Sequence, residues 1–129
     1  MNPHRVLIVE SNPVVRESLY WLLANEPDLA IVGEATTGPD ALARAHDLKP
    51  DLVILDVHLP QLDGYAVTRS LKLQPAAPLV ILLSVFDDPH SRQRSAEAGG
   101  DGFIEKSTDW APLIAQIRLA FNVRVNFGA

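Results

Sequence analysis

Apolar residues fall along this chain in short unbroken runs, each ending at polar positions and followed by a stretch with helical spacing. Val6-Leu7-Ile8-Val9 ends at Glu10 and Ser11, and Leu52-Val53-Ile54-Leu55 ends at Asp56. Leu79-Val80-Ile81-Leu82-Leu83 reaches Ser84, and Gly102-Phe103-Ile104-Glu105 reaches Lys106. Runs of this length, bounded by turn signals, predict strands; the middle two lack alternation and are expected to be covered on both faces. A further strand is predicted over about residues 29–33, after Pro27 and Asp28 break the helix before it.

The intervening stretches read as helices. Asn12-Pro13 places a cap candidate before a proline at the first helical position, and Val15, Leu19, Leu22 and Leu23 supply the apolar face. Trp21, next to those positions, is expected to be a core or half-buried residue. Thr37-Gly38-Pro39 starts a short helix with Ala41, Leu42 and Ala45 on one side, closed by Lys49-Pro50. Val67 and Leu71 bury a helix over about residues 64–73. Residues 89–98 are helical in pattern but mostly polar, and Gly99-Gly100 stops them. Trp110, Leu113, Ile114, Ile117 and Phe121 give the last helix the clearest amphipathic pattern. Residues 1–122 read as one domain, and 123–129 as a tail or the start of a linker.

Strands joined by crossover helices must run parallel, which makes this an α/β, doubly wound five-stranded sheet with helices on both faces. All the polar strand ends then open onto one edge, where ligands and chemistry collect in such sheets. An acid (Glu10), a second carboxylate (Asp56), a hydroxyl (Ser84) and an ammonium (Lys106) are thereby expected together.

Composition narrows the options. A net charge of -5 argues against direct nucleic-acid binding, which normally needs a basic stripe. The absence of cysteine excludes disulfides and thiolate metal sites. No stretch approaches the roughly 18 apolar residues of a membrane span, and the first residues run into a strand without a signal peptide. A cytoplasmic domain that makes no membrane contact is the expectation.

These residues resemble the receiver (CheY-like) domains of bacterial two-component response regulators over about residues 5–121. Gly33-Glu34-Ala35, Ile81-Leu82-Leu83-Ser84-Val85 and Gly99-Gly100-Asp101-Gly102-Phe103 look most like the NarL/FixJ subgroup, whose receivers are usually followed by a helix-turn-helix domain. The resemblance implies a flavodoxin-like strand order 2-1-3-4-5 and a phosphoacceptor at Asp56, served by a sensor histidine kinase. It implies that Ser84 and Lys106 contact the phosphoryl oxygens and that Phe103 is the switch aromatic paired with Ser84. Mg2+ would be held by Glu10, Asp56 and the backbone carbonyl of His58, whose side chain is expected to lie in the loop beside the site. The implied partner surface is the face of the fourth helix, fifth strand and fifth helix, which could also support a homodimer, with transcription controlled through an output domain. The domain itself would be a signalling phosphoacceptor rather than an enzyme, capable at most of slow self-dephosphorylation.

The chain departs from the family pattern after the first strand. Two acidic residues are usual there, whereas this chain has Glu10-Ser11, which should weaken Mg2+ binding because hard cations favour charged oxygens. Ser107 also follows Lys106 where many receivers have proline. A second reading is therefore a degenerate receiver acting as a phosphorylation-independent interaction module. A third, an aspartate-nucleophile phosphatase or a flavin protein on the same fold, is disfavoured. Such phosphatases usually carry an Asp where His58 stands, and Glu10-Ser11-Asn12-Pro13 lacks the glycine-rich character of a flavin phosphate loop.

Overall fold

The computed structural model describes residues 2–107 and 109–127. Strands and helices alternate: β1 (His4–Val9), α1 (Pro13–Ala24), β2 (Leu29–Ala35), α2 (Gly38–Leu48), β3 (Leu52–Asp56), α3 (Gly64–Lys72), β4 (Leu79–Ser84), α4 (Pro89–Glu97), β5 (Gly102–Glu105) and α5 (Ala111–Phe127). The strands form one five-stranded sheet in the order β2-β1-β3-β4-β5. Every neighbouring pair is parallel. The predicted strand order and helix placement are both realised.

The apolar runs divide by the pleat of the strands. Leu7, Val9, Val53, Leu55, Val80 and Leu82 face α2 and α3, where Ala41, Ala45, Val67 and Leu71 meet them. Val6, Ile8, Ile54, Ile81 and Leu83 face α1 and α5 through Leu19, Leu23, Leu113 and Ile117. β3 and β4 are buried at every position, because helices cover both sides of them.

Local chemistry starts the first four helices at the same sheet edge. Asn12 Oδ1 accepts from the Val14 N–H at 2.9 Å, Thr37 Oγ1 from Asp40 at 3.2 Å, Asp63 Oδ1 from Ala66 at 2.9 Å and Asp88 Oδ1 from Ser91 at 2.8 Å. Each cap satisfies a backbone donor that a helix start leaves free.

Gly64 matters most for the geometry of that edge. A Cβ placed there would lie 2.3 Å from the Asp56 carbonyl oxygen and 2.7 Å from Val57 Cα. Both are backbone atoms, so α3 can start this close to the end of β3 only with glycine. Gly64→Ala is expected to destabilise the fold by about 1–3 kcal/mol in urea unfolding, the usual range for overpacking. An unchanged midpoint would show that the α3 start relaxes freely.

Several expectations are corrected. Trp21 is 59% exposed. It sits two residues from both Leu19 and Leu23, roughly 200° around the helix from each and so off the buried stripe. β2 runs two residues further than predicted, to Ala35, because the Ala35 carbonyl accepts the Glu10 N–H at 3.1 Å. Trp110 packs against the core but precedes α5. Residues 123–127, expected to begin a tail, continue α5 to Phe127, while 128 and 129 lie outside the described residues. His4 is half-buried and stacks on Phe121 with ring centroids 3.8 Å apart. No helix among the described residues is long and apolar enough to cross a membrane.

Candidate functional site

The ends of β1, β3, β4 and β5 bring Glu10, Asp56, Ser84 and Lys106 to one edge of the sheet. Glu10, Asp56 and Ser84 are almost fully buried, at 0%, 2% and 1% exposed. Lys106 follows β5, and its backbone N–H donates to the Ser84 carbonyl at 2.7 Å, which fixes the chain above β4. From there its side chain reaches past β4. Its Nζ stands 3.0 Å from Asp56 Oδ2 and 2.8 Å from Glu10 Oε1, so one ammonium bridges two buried carboxylates.

The remaining carboxylate oxygens are held by backbone. Asp56 Oδ1 accepts the His58 N–H at 3.0 Å, and Glu10 Oε2 accepts the Asn12 N–H at 3.0 Å. Glu10 Oε1 differs: among the described residues its one neighbouring cation is the Lys106 ammonium at 2.8 Å, and no backbone donor reaches it. Burial raises the Glu10 pKa above its usual 4.5, with the neighbouring Asp56 charge adding to it; Lys106 and the Asn12 N–H act in the opposite direction. For Lys106, burial alone would lower the pKa, but Glu10 and Asp56 outweigh it and raise it above 10.5.

Ser84 Oγ accepts the Phe86 N–H at 3.1 Å, so the hydroxyl is engaged by its own loop. Phe103 is buried at 6% exposure. The His58 side chain is exposed, as expected, while its backbone supports Asp56. Ser11 lies half-buried directly after Glu10. His46 and His90 are exposed.

Some contacts around the site were not foreseen from the sequence. Arg16 Nη1 donates to the Glu10 carbonyl at 2.9 Å, and Arg16 Nε lies 3.5 Å from Glu34 Oε1, tying α1 and β2 to the end of β1. Arg92 lies with its guanidinium carbon 5.1 Å from the Phe103 ring centroid. Neither arginine carries a local sequence signal, since each partner is brought close only by the fold. A groove of 320 Å³ between the ends of α2 and α3, lined by Leu42, His46, Lys49 and Pro75 among others, is remote from these groups.

Chemically, Asp56 is a buried carboxylate with a cation at its side. Attack by a carboxylate on a phosphoryl group meets like-charge repulsion, which Lys106 offsets. The carboxylate oxygens of Glu10 and Asp56 are the donor type that a hard dication takes. The set is thin, however, for no group of three or more His, Cys, Asp or Glu side chains gathers for a metal among the described residues.

Comparison with known proteins places this geometry in context. A family model described as the response regulator receiver domain matches residues 6–118. The response regulator VraR of Staphylococcus saprophyticus is 31% identical over 120 residues, which are 93% of this chain and 57% of that protein. The response regulator GacA of Pseudomonas viridiflava is 33% identical over 117 residues, 91% of this chain and 55% of the relative. The chain thus spans little more than half the length of these regulators. Among solved structures, a LuxR-family two-component response regulator from Aurantimonas sp. SI85-9A1 superposes with a TM-score of 0.87 at 27% identity, covering 94% of this chain and 86% of that one. The response regulator domain of Thermotoga maritima CheB gives 0.86 at 28% identity, covering 95% and 98%.

Proposed function

The chain belongs to the response regulator receiver domain family, and on that premise we propose that Asp56 accepts a phosphoryl group from a histidine kinase and so switches protein–protein contacts. One observation carries the assignment of the acceptor. Asp56 is a buried carboxylate at the exit of the central strand, 3.0 Å from the Lys106 ammonium. In the transfer, an Asp56 oxygen forms a bond to phosphorus while the phosphorus–nitrogen bond to the kinase imidazole breaks. The imidazole keeps that electron pair, and the product is an acyl phosphate on Asp56. Lys106 then pairs with a phosphoryl oxygen, and the Ser84 hydroxyl exchanges the Phe86 N–H for another. Phe103 responds as the switch aromatic.

Mg2+ would be held by Glu10, Asp56 and the His58 carbonyl, and when bound it supplies positive charge that offsets repulsion at the phosphoryl group. Ser11 leaves this shell one carboxylate short. Ser11→Asp is expected to tighten Mg2+ binding by about tenfold, or ~1.4 kcal/mol, in calorimetric titration. Equal affinities would show that Glu10, with its longer reach, already fills the position.

The receiver extends through α5, which runs to Phe127, and an output domain that regulates transcription follows it in the longer protein, consistent with the greater length of the relatives. The setting is the cytoplasm, without direct nucleic-acid or membrane contact by this domain. The domain is a phosphoacceptor with slow self-dephosphorylation rather than an enzyme with its own substrate. Partner binding or homodimerisation uses the α4–β5–α5 face, of which α4 is the least firmly anchored part, with only Ser95 buried.

A second reading, a module that works without phosphorylation, is favoured by one feature. Lys106 already pairs with both carboxylates, and Ser11 reduces the pull of a metal that would compete. Incubation with acetyl phosphate and Mg2+, followed by intact mass measurement, separates the two. Gain of one phosphoryl mass is expected, with hydrogen exchange changing over residues 85–103 on addition of beryllofluoride. A folded chain that gains no mass would establish the second reading.

A further inference from the structure

Arg92 stands where the proposed output surface meets Phe103. α4 has almost no apolar anchor of its own, and its middle is held by cations over rings. The Arg92 guanidinium carbon lies 5.1 Å from the Phe103 ring centroid, and that of Arg94 lies 4.2 Å from the Tyr65 centroid. Arg92 is also forked onto Asp87 in the loop between β4 and α4. Its Nη2 donates to Oδ2 at 2.9 Å and its Nε to Oδ1. One side chain therefore ties together the loop leaving Ser84, helix α4 and the aromatic ring of β5.

The position of Phe103 gives this contact its meaning. The ring is buried while the Ser84 hydroxyl is engaged by the Phe86 N–H of its own loop. Movement of that hydroxyl is thus not what holds the ring inward here. A guanidinium can lie over an aromatic face and fork a carboxylate at the same time, because it is flat and its donors point outward in its own plane. Asp87 aims the group, and Phe103 receives it.

We propose that Arg92 is a positioning residue that clamps Phe103 inward, with Asp87 orienting it. The signalling face is thereby biased toward the ring-in arrangement before phosphoryl transfer. The consequence for output rests on the reading of Phe103 as the switch aromatic; the clamp itself is a property of the resting chain. A pre-existing bias of this kind raises affinity for any ligand that prefers the same arrangement.

The test uses the full chain with 13C-labelled phenylalanine. There are four such residues, and Phe103→Leu assigns the ring signals of interest. In Arg92→Gln, a soluble paramagnetic agent is expected to relax the Phe103 signals about two- to fivefold faster, the population change expected from losing one cation–π contact. Asp87→Asn should produce part of that change, and Arg92→Lys should not restore the parent behaviour. Beryllofluoride with Mg2+ should bind Arg92→Gln about two- to fivefold more weakly, since binding must then supply the inward shift. A Phe103 ring as protected in folded Arg92→Gln as in the parent overturns the clamp. If beryllofluoride leaves even the parent unchanged, the phosphorylation reading fails, yet the comparison made without it still decides the clamp.

Discussion

Asp56→Asn should abolish the mass gain that phosphodonor treatment produces in the parent chain. An amide oxygen is a poor nucleophile toward phosphorus, and the uncharged side chain no longer draws Lys106 toward the attack position. Other carboxylates do not substitute. Glu10 is the nearest candidate, but it lies fully buried behind the same ammonium, with one oxygen committed to the Asn12 N–H. The variant keeps the Glu10–Lys106 pair, so it should remain folded and give a clean negative. Intact mass before and after acetyl phosphate, with circular dichroism as the folding control, measures this directly. An equal gain in the Asn variant would move the acceptor to another residue.

Lys106→Met is expected to have the largest effect on stability. Methionine keeps most of the side-chain volume but removes the charge shared by Glu10 and Asp56, which are 0% and 2% exposed. Two buried carboxylates would then face each other without a counter-ion. Breaking a buried pair in this way costs about 3–5 kcal/mol at neutral pH. The pH dependence follows from the Glu10 pKa, which is raised above 4.5 in the fold. Its favourable contribution is present below 4.5 and is lost as pH rises through the folded value. Removing Lys106 raises that value further, so the variant should lose more than the parent as pH rises, and the gap should narrow on acidification. Lys106 itself has a raised pKa, so its contribution is present below 10.5 and is lost only as alkali carries the pH through the folded value. Urea unfolding at pH 7.5 and pH 5 tests the pattern. Glu10→Gln in the Met background should recover part of the loss, because it removes one of the two unpaired charges. A pH-independent difference would mean that lost packing, not charge, explains the destabilisation.

Much of the architecture was legible because strands buried on both faces announce themselves as unbroken apolar runs. Their polar ends, Glu10, Asp56, Ser84 and Lys106, followed from parallel topology alone. What local pattern could not supply was distance. Lys106 reaches both carboxylates across β4, and that span depends on the register of four strands. Arg92 meets Phe103 only through the packing of α4 on β5. Trp21 misled because nearness in sequence to apolar positions is not nearness on the helix surface. The end of α5 was hidden for another reason. Val123 and Val125 have modest helix propensity, but a helix already nucleated extends readily, and Arg124 Nη2 ties this stretch to the Ala77 carbonyl at 3.0 Å.

The ammonium bridge over β4 also has a consequence for how the chain acquires its competence. Its three charged groups are separated by nearly the whole sequence, and they meet only when β5, the last strand and an edge strand, has docked. Contacts between such distant segments are slow to form, because loop closure precedes the gain they bring. A chain still emerging during synthesis, or one with its edge strand detached, presents Asp56 without its cation. On the proposed role of Asp56, competence for phosphoryl transfer therefore arrives only with the docking of β5.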